Sequence, residues 1–258
     1  MRRSAVSLAL HLALALSVLG CTQQSPAIHT PEWVHGTLNV FAAASLTDAF
    51  KATGAAFTRN HPDAKVTFNF AGTPTLLTQI QQGASADVFA SADQANMQKA
   101  VDAGVTTGNP TAFAHNRLEI VVAAHNPKRI AGLPDLARSD VLYITEAATV
   151  PAGKYAAQAL ATAGVKANPR SFETDVKSVV TKVQLGEADA GIVYVTDVKS
   201  AGPRVAGVEI PEALNVVATY PVAVVRGAQN GNGADAFITF LLSREGQALL
   251  QGFGFTAP

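Results

Sequence analysis

Beyond residue 37, short apolar runs alternate with stretches whose apolar positions recur at helical spacing. The runs LNVFAAA (38–44), KVTFNFAG (65–72), ADVFASA (86–92), RLEIVVAA (117–124), VLYITEA (141–147), AGIVYVT (190–196) and LNVVATYPVAVV (214–225) predict strands. Helices are expected between them, near 46–60, 74–83, 93–103, 151–164, 176–186 and 234–251. Strands alternating with helices of this length predict an α/β fold of mainly parallel strands covered by helices. No internal repeat or low-complexity tract stands out.

Two apolar, extended segments are placed to cross between lobes, RLEIVVAA from about residue 117 and TYPVAVV from about residue 219. This divides the chain into one lobe of residues 38–116 plus 220–258 and a second of residues 117–219, with a cleft between them. A single domain is the alternative that the pattern leaves open.

The first twenty residues read differently. Arg2 and Arg3 precede the apolar run AVSLALHLALALSVLG, as in a secretory leader too short to be a dependable membrane span. Cys21, the sole cysteine, follows in SVLGC, which resembles a bacterial lipobox. Cleavage before Cys21 would leave its sulfur and amine for lipid attachment. An ordinary leader followed by a stray thiol is the alternative. Residues 21–37, TQQSPAIHTPEWVHG with its flanks, then read as a polar tether carrying Trp33. The 19 basic residues, of which Arg2 and Arg3 go with the leader, stand against 19 acidic ones. Such a balance gives no reason to expect nucleic acid as a partner.

The candidate chemistry lies at helix mouths. In LNVFAAASLTDAF a strand runs into small residues, then Ser45, with Asp48 three positions on, close to a capping box. FAGTPTLLTQI repeats the device: Gly72 frees the backbone, Thr73 is a candidate N-cap and Pro74 suits the first helical turn. TVPAGKYAAQAL places Thr149 before Val150 and Pro151, with Ala152 and Gly153 leaving first-turn amides uncovered and Lys154 expected to face solvent. ETDVKSVVTKV places Thr174 and Asp175 before Val176, with Asp175 read as the cap. Each mouth has two readings. It is a capped helix, or its free amides and hydroxyls form an anion site. Tyr194, at a strand end, is either a packing residue or a donor into a cleft. No Walker lysine accompanies these motifs. A site of neutral donors suits a fully deprotonated oxyanion and disfavours one that retains a proton. Catalytic patterns are poor, with no G-x-S-x-G or H-E-x-x-H, and the six histidines lack metal-ligand spacing.

Taken together, VFAAASLTDAF, FAGTPTLLTQIQQGASADVFASAD, VPAGKYAAQAL, DVKSVVTKVQLGEADAGIVYVTD and YPVAVV…FGF resemble, in order, the molybdate-binding proteins of bacterial ABC importers. The resemblance covers nearly all of residues 38–258. It implies a two-lobed type II periplasmic-binding-protein fold closing on one tetrahedral molybdate or tungstate. It also implies a non-enzymatic role, no cofactor, a cognate permease, a monomer and an extracytoplasmic, lipid-anchored location through Cys21. Carried over by position, Ser45 and Thr73 supply hydroxyls and amides, Ala152 and Val176 supply amides, and Tyr194 its hydroxyl. Departures are Thr73 where serine is common, Pro74 after it, and TEAATVPAG in place of a frequent Asp-Pro start. Sulfate or another tetrahedral anion, a hydrolase on this fold, or a sensor without a transporter are the rival readings.

Overall fold

The alternation becomes nine strands and eight α-helices among the residues that the computed structural model describes, 34–258. The leader, Cys21 and the tether as far as Trp33 lie outside the described residues. The end of the segment read as tether belongs to the fold: Val34 is buried in the core, and β1 (Gly36–Ala43) already begins at Gly36. A short 3₁₀ turn at Ala44–Leu46 leads into α1 (Thr47–Asn60). Then follow β2 (Ala64–Ala71), α2 (Thr73–Gln81), β3 (Val88–Ala90) and α3 (Gln94–Asp102). The long β4 (Thr106–Ala123) is followed by β5 (Tyr143–Glu146), α4 (Pro151–Thr162), β6 (Phe172–Glu173), α5 (Val176–Gln184) and β7 (Ala190–Tyr194). The chain closes with α6 (Val195–Ala201), β8 (Val205–Glu209), β9 (Val217–Val225), α7 (Gly231–Leu242) and α8 (Arg244–Gly252).

The α/β expectation is met, with a mixed sheet where mainly parallel strands were expected. Strand order is β2-β1-β3-β9-β4-β7-β5-β6, with β8 also on β4. The pairs β1–β2, β1–β3, β5–β6 and β5–β7 are parallel. The central pairs β3–β9, β4–β9, β4–β7 and β4–β8 are antiparallel. The reason is β4. Its first part, Thr106–Arg117, pairs with β9, and its last part, Leu118–Ala123, pairs with β7 and β8. One strand therefore belongs to two portions of sheet, and β9 returns beside it at Arg117–Val217. β4 starts well before the expected residue 117 because TTGNPTAFAHN, polar and broken by Gly and Pro, still pairs with β9 through two register shifts.

Parallel strands that end in register bring their following helices together. Ala43 of β1 lies opposite Ala71 of β2, so the mouths of α1 and α2 adjoin. Glu146 of β5 lies opposite Glu173 of β6, so the mouths of α4 and α5 adjoin. This is the carboxyl end of the strands, where open α/β sheets place ligands. The expected helix 234–251 divides at Ser243, whose hydroxyl donates to the Phe240 carbonyl (2.7 Å) and accepts the Gly246 amide (3.1 Å).

Phenylalanines hold α1 and α7 to the first sheet portion. Phe237 meets Phe50 and Phe57 edge-on at centroid distances of 5.8 and 5.4 Å, and Phe68 stacks on Phe70 at 5.2 Å. Phe237 is fully buried at this junction. Phe237→Ala is expected to cost about 3–5 kcal/mol of stability, measured by denaturant unfolding, and Phe237→Leu clearly less.

Candidate functional site

The four helix mouths and the end of β7 face one small space. Its cavity volume is only about 10 Å³, and it is bounded by Ala43, Ala44, Ser45, Gly72, Thr73, Ala92, Glu146, Val150, Pro151, Ala152, Asp175, Val176 and Tyr194. All five residues proposed as oxyanion donors, Ser45, Thr73, Ala152, Val176 and Tyr194, lie on its wall. The larger groove beyond α4, about 490 Å³, is lined mainly by apolar residues such as Leu160, Val165 and Phe172, with Lys166 also in its lining.

Of the four local caps, only Asp175 behaves as expected, its Oδ1 accepting the Ser178 amide at 3.0 Å. Ser45 caps nothing. It lies in the 3₁₀ turn, and its Oγ sits 2.9 Å from the Tyr220 hydroxyl. Thr73 is the first residue of α2 with Gly72 as N-cap, so it is not the cap either. Its Oγ1 instead accepts the amide of Ala92 at 3.2 Å. Thr149 is exposed, and Val150 holds the N-cap position of α4.

The direction of these bonds matters. A peptide N–H only donates, so Thr73 Oγ1 receives a proton from behind and keeps its own for another partner. Tyr194 Oη is buried with no partner at close hydrogen-bond distance; the Tyr220 hydroxyl acts on it, and the two rings meet edge-on at 5.7 Å. Burial, then Tyr220 and Glu146, push the Tyr194 phenol well above its ordinary range, so it stays a proton donor. Val176 and Ala152 occupy the first and second positions of α5 and α4, where no helix carbonyl can accept their amides.

Two glycines permit the close approach. A Cβ on Gly72 would lie 2.3 Å from the Thr174 carbonyl, which brings the mouth of α2 against the mouth of α5. A Cβ on Gly153 would lie 2.3 and 2.4 Å from the carbonyls of Ala147 and Glu146, so the first turn of α4 rests on the end of β5.

Sequence reasoning missed three participants. Glu146, 2 % exposed, lines the space and accepts the Gly153 amide at 3.1 Å. Burial, then the carboxylates of Asp197 and Asp175, raise its pKa well above the ordinary value, while the amides of Gly153 and Ala152 pull the other way. An acid in this wall does not fit the expectation of a site without acceptors, unless it holds its proton. Tyr220, from the YPVAVV motif, stands behind Ser45. Lys177 bridges Asp48 of α1 at 2.8 Å and buried Asp197 of α6 at 3.2 Å. Asp197 Oδ2 in turn accepts the Tyr194 amide at 3.2 Å. Burial alone would lower the Lys177 pKa, but Asp197 and Asp48 outweigh it and raise it. This cation is consumed by carboxylates, and Lys154 sits over the Tyr155 ring at 5.8 Å, so neither lines the space. No group of His, Cys, Asp and Glu among the described residues could hold a metal ion.

Comparison with known proteins identifies the family. The family model described as bacterial extracellular solute-binding protein matches residues 38–256. The Molybdate-binding protein ModA of Mycobacterium tuberculosis strain H37Rv is 39% identical over 247 residues, 95% of each chain. The substrate-binding domain of a molybdenum ABC transporter from Clostridium difficile is 32% identical with a TM-score of 0.65, covering 86% of this chain and 99% of that one. The periplasmic molybdate-binding protein of Azotobacter vinelandii, at 18% identity, shares the fold with a TM-score of 0.76 over 86% of this chain and 99% of its own. The chain therefore belongs to the bacterial extracellular solute-binding proteins, in the group that includes the ModA proteins.

Proposed function

We propose that the chain captures molybdate, and tungstate with it, in the space between the four helix mouths and delivers it to an ABC permease. The observation that carries this reading is the convergence of donors on one small space. Thr73 accepts the Ala92 amide and keeps its own proton, the Tyr194 hydroxyl is buried at the wall, and the N-termini of α4 and α5 border the space. The kinship with proteins named for molybdate binding selects the ligand among tetrahedral oxyanions. Binding rather than catalysis accords with relatives that are solute-binding proteins.

In this reading residues 38–116 with 220–258 form one lobe, residues 117–219 the other, and β4 and β9 are the crossing strands. Ser45 and Thr73 then come from the first lobe, and Ala152, Val176 and Tyr194 from the second. The protein works outside the cytoplasm as a monomer and requires no cofactor. Lipid attachment at Cys21 holds it at the outer face of the cell membrane, a role supported by SVLGC.

Calorimetric titration with molybdate, tungstate, sulfate and phosphate near neutral pH tests the ligand. Molybdate and tungstate are expected to bind far more tightly than phosphate, which retains a proton that the hydroxyl and amide donors of this wall do not receive. Equal binding of phosphate would contradict the donor site. Tyr194→Phe keeps the ring and removes only a donor to a charged ligand. It is expected to weaken molybdate binding by about 1.5–3 kcal/mol, roughly ten- to a hundredfold, with an unchanged melting temperature in the ligand-free protein.

Gly72→Ala places a methyl group against the Thr174 carbonyl across the two lobes. Overpacking of this kind costs about 1–3 kcal/mol, so molybdate affinity should fall roughly five- to a hundredfold while the unliganded melt hardly moves. An unchanged affinity would mean that the two lobes do not close at this contact.

Glu146 gives a pH dependence whose sign is fixed. Its folded pKa lies above the ordinary carboxyl value, so the folded state holds this proton more tightly than the unfolded one. The associated stability is present at acid pH and is lost as pH rises from the ordinary carboxyl range through the raised value. Of the charges around it, Asp197 and Asp175 act in the same direction, and Lys177 offsets Asp197. An ionised Glu146 also repels a bound anion. Molybdate affinity and thermal stability should therefore both fall as pH rises through that range, and Glu146→Gln should flatten both profiles. Parallel profiles for wild type and variant would remove Glu146 from this role.

A further inference from the structure

Tyr220 opens the YPVAVV motif and does not line the oxyanion space, yet its hydroxyl lies 2.9 Å from Ser45 Oγ. The ring is fully buried and meets Phe113 and Phe255 edge-on at 6.3 and 5.4 Å. Behind it stands Asn116, at the point where β4 passes from one sheet portion to the other. Asn116 Oδ1 accepts the Arg117 amide at 3.0 Å. A peptide N–H can only donate, so this contact decides which end of the Asn116 amide is oxygen. The Nδ2 end therefore faces Thr196 Oγ1 at 2.9 Å and Tyr220 Oη at 3.4 Å, with one hydrogen for each.

Either hydroxyl of the Ser45–Tyr220 pair can donate; with the Asn116 hydrogen on one lone pair of Tyr220 Oη, the phenol's own proton is available to Ser45 Oγ. With that proton received at Ser45 Oγ, the serine's own hydrogen is free for the space it lines. Burial pushes the Tyr220 phenol well above its ordinary range, which keeps its proton in place. Thr73 reaches the same state by a shorter route, through the Ala92 amide. Both hydroxyls in the wall thus have a donor behind them.

We propose that Tyr220 and Asn116 are positioning residues that set anion selectivity by fixing the Ser45 hydroxyl as a donor. The inference rests on the oxyanion reading above. A hydroxyl held in this way turns its hydrogen to the space and has one lone pair already engaged, which disfavours an anion that must donate its own proton, such as hydrogen phosphate. A hydroxyl released from Tyr220 rotates and accepts as readily as it donates.

The test measures dissociation constants for molybdate and inorganic phosphate at neutral pH in wild type, Tyr220→Phe, Ser45→Ala and the double variant, with Asn116→Leu as a second way to break the relay. Thermal melts confirm that each compared variant is folded. In Tyr220→Phe, molybdate binding is expected to weaken about three- to tenfold and the phosphate-to-molybdate ratio of dissociation constants to narrow by a similar factor. In the Ser45→Ala background the same Tyr220→Phe change should leave that ratio unmoved, because the hydroxyl it acts through is gone. A wild-type ratio in Tyr220→Phe, or an equal change with and without Ser45, overturns the proposal. A wild-type protein that binds no oxyanion overturns the reading beneath it, and the first titration reveals this before any variant is compared.

Discussion

A dianion taken out of water needs a hydrogen-bond donor in every direction it faces, and no lone pair directed at it. Neutral hydroxyls meet that demand only if their protons are held inward, since a free hydroxyl can turn either way. The wall of this site meets it from outside. The Ala92 amide donates to Thr73, and Ser45 shares a hydrogen bond with Tyr220, so both hydroxyls are tied from behind before a ligand arrives. Preorganised donors of this kind cost no rearrangement on binding, which is where neutral groups gain their strength. The cation in the vicinity, Lys177, is held by Asp48 and Asp197, where it ties α1 to α6 and, through Asp197, supports the Tyr194 backbone.

The fold makes this possible through strand ends. Parallel pairing of β1 with β2, and of β5 with β6, sets helix mouths side by side in two couples. The shared strand β4 then joins the two sheet portions that carry them. Gly72 and Gly153 let backbone approach backbone where a methyl group would collide. Small residues in the AAAS, AGT and PAG stretches thus serve geometry more than core volume.

Much of this was legible in the sequence because it is local. The long strands and helices followed from apolar periodicity, and Asp175 was read correctly as a cap because its partner, the Ser178 amide, lies three residues away. Ser45 and Thr73 were placed rightly at helix mouths, but the capping alternative fails because their real partners are distant. Tyr220 is 175 residues from Ser45, and Ala92 is 19 from Thr73. The short elements β6, α6 and β8 escaped because a few residues carry no measurable period. Glu146 escaped for another reason. TEAATVPAG shows an acid before a helix, and only burial beside Asp197 and Asp175 shows why its proton matters.

The central claim is that neutral donors alone surround the anion, and a high-resolution crystal structure of the molybdate complex tests it most directly. The account predicts one anion with Ser45 Oγ, Thr73 Oγ1, the amides of Ala152 and Val176, and Tyr194 Oη at about 2.7–3.1 Å from its oxygens. It also predicts that the Ser45–Tyr220 bond persists and that no lysine or arginine touches the ligand. An anion seated elsewhere, or one held by a cationic side chain, would contradict it.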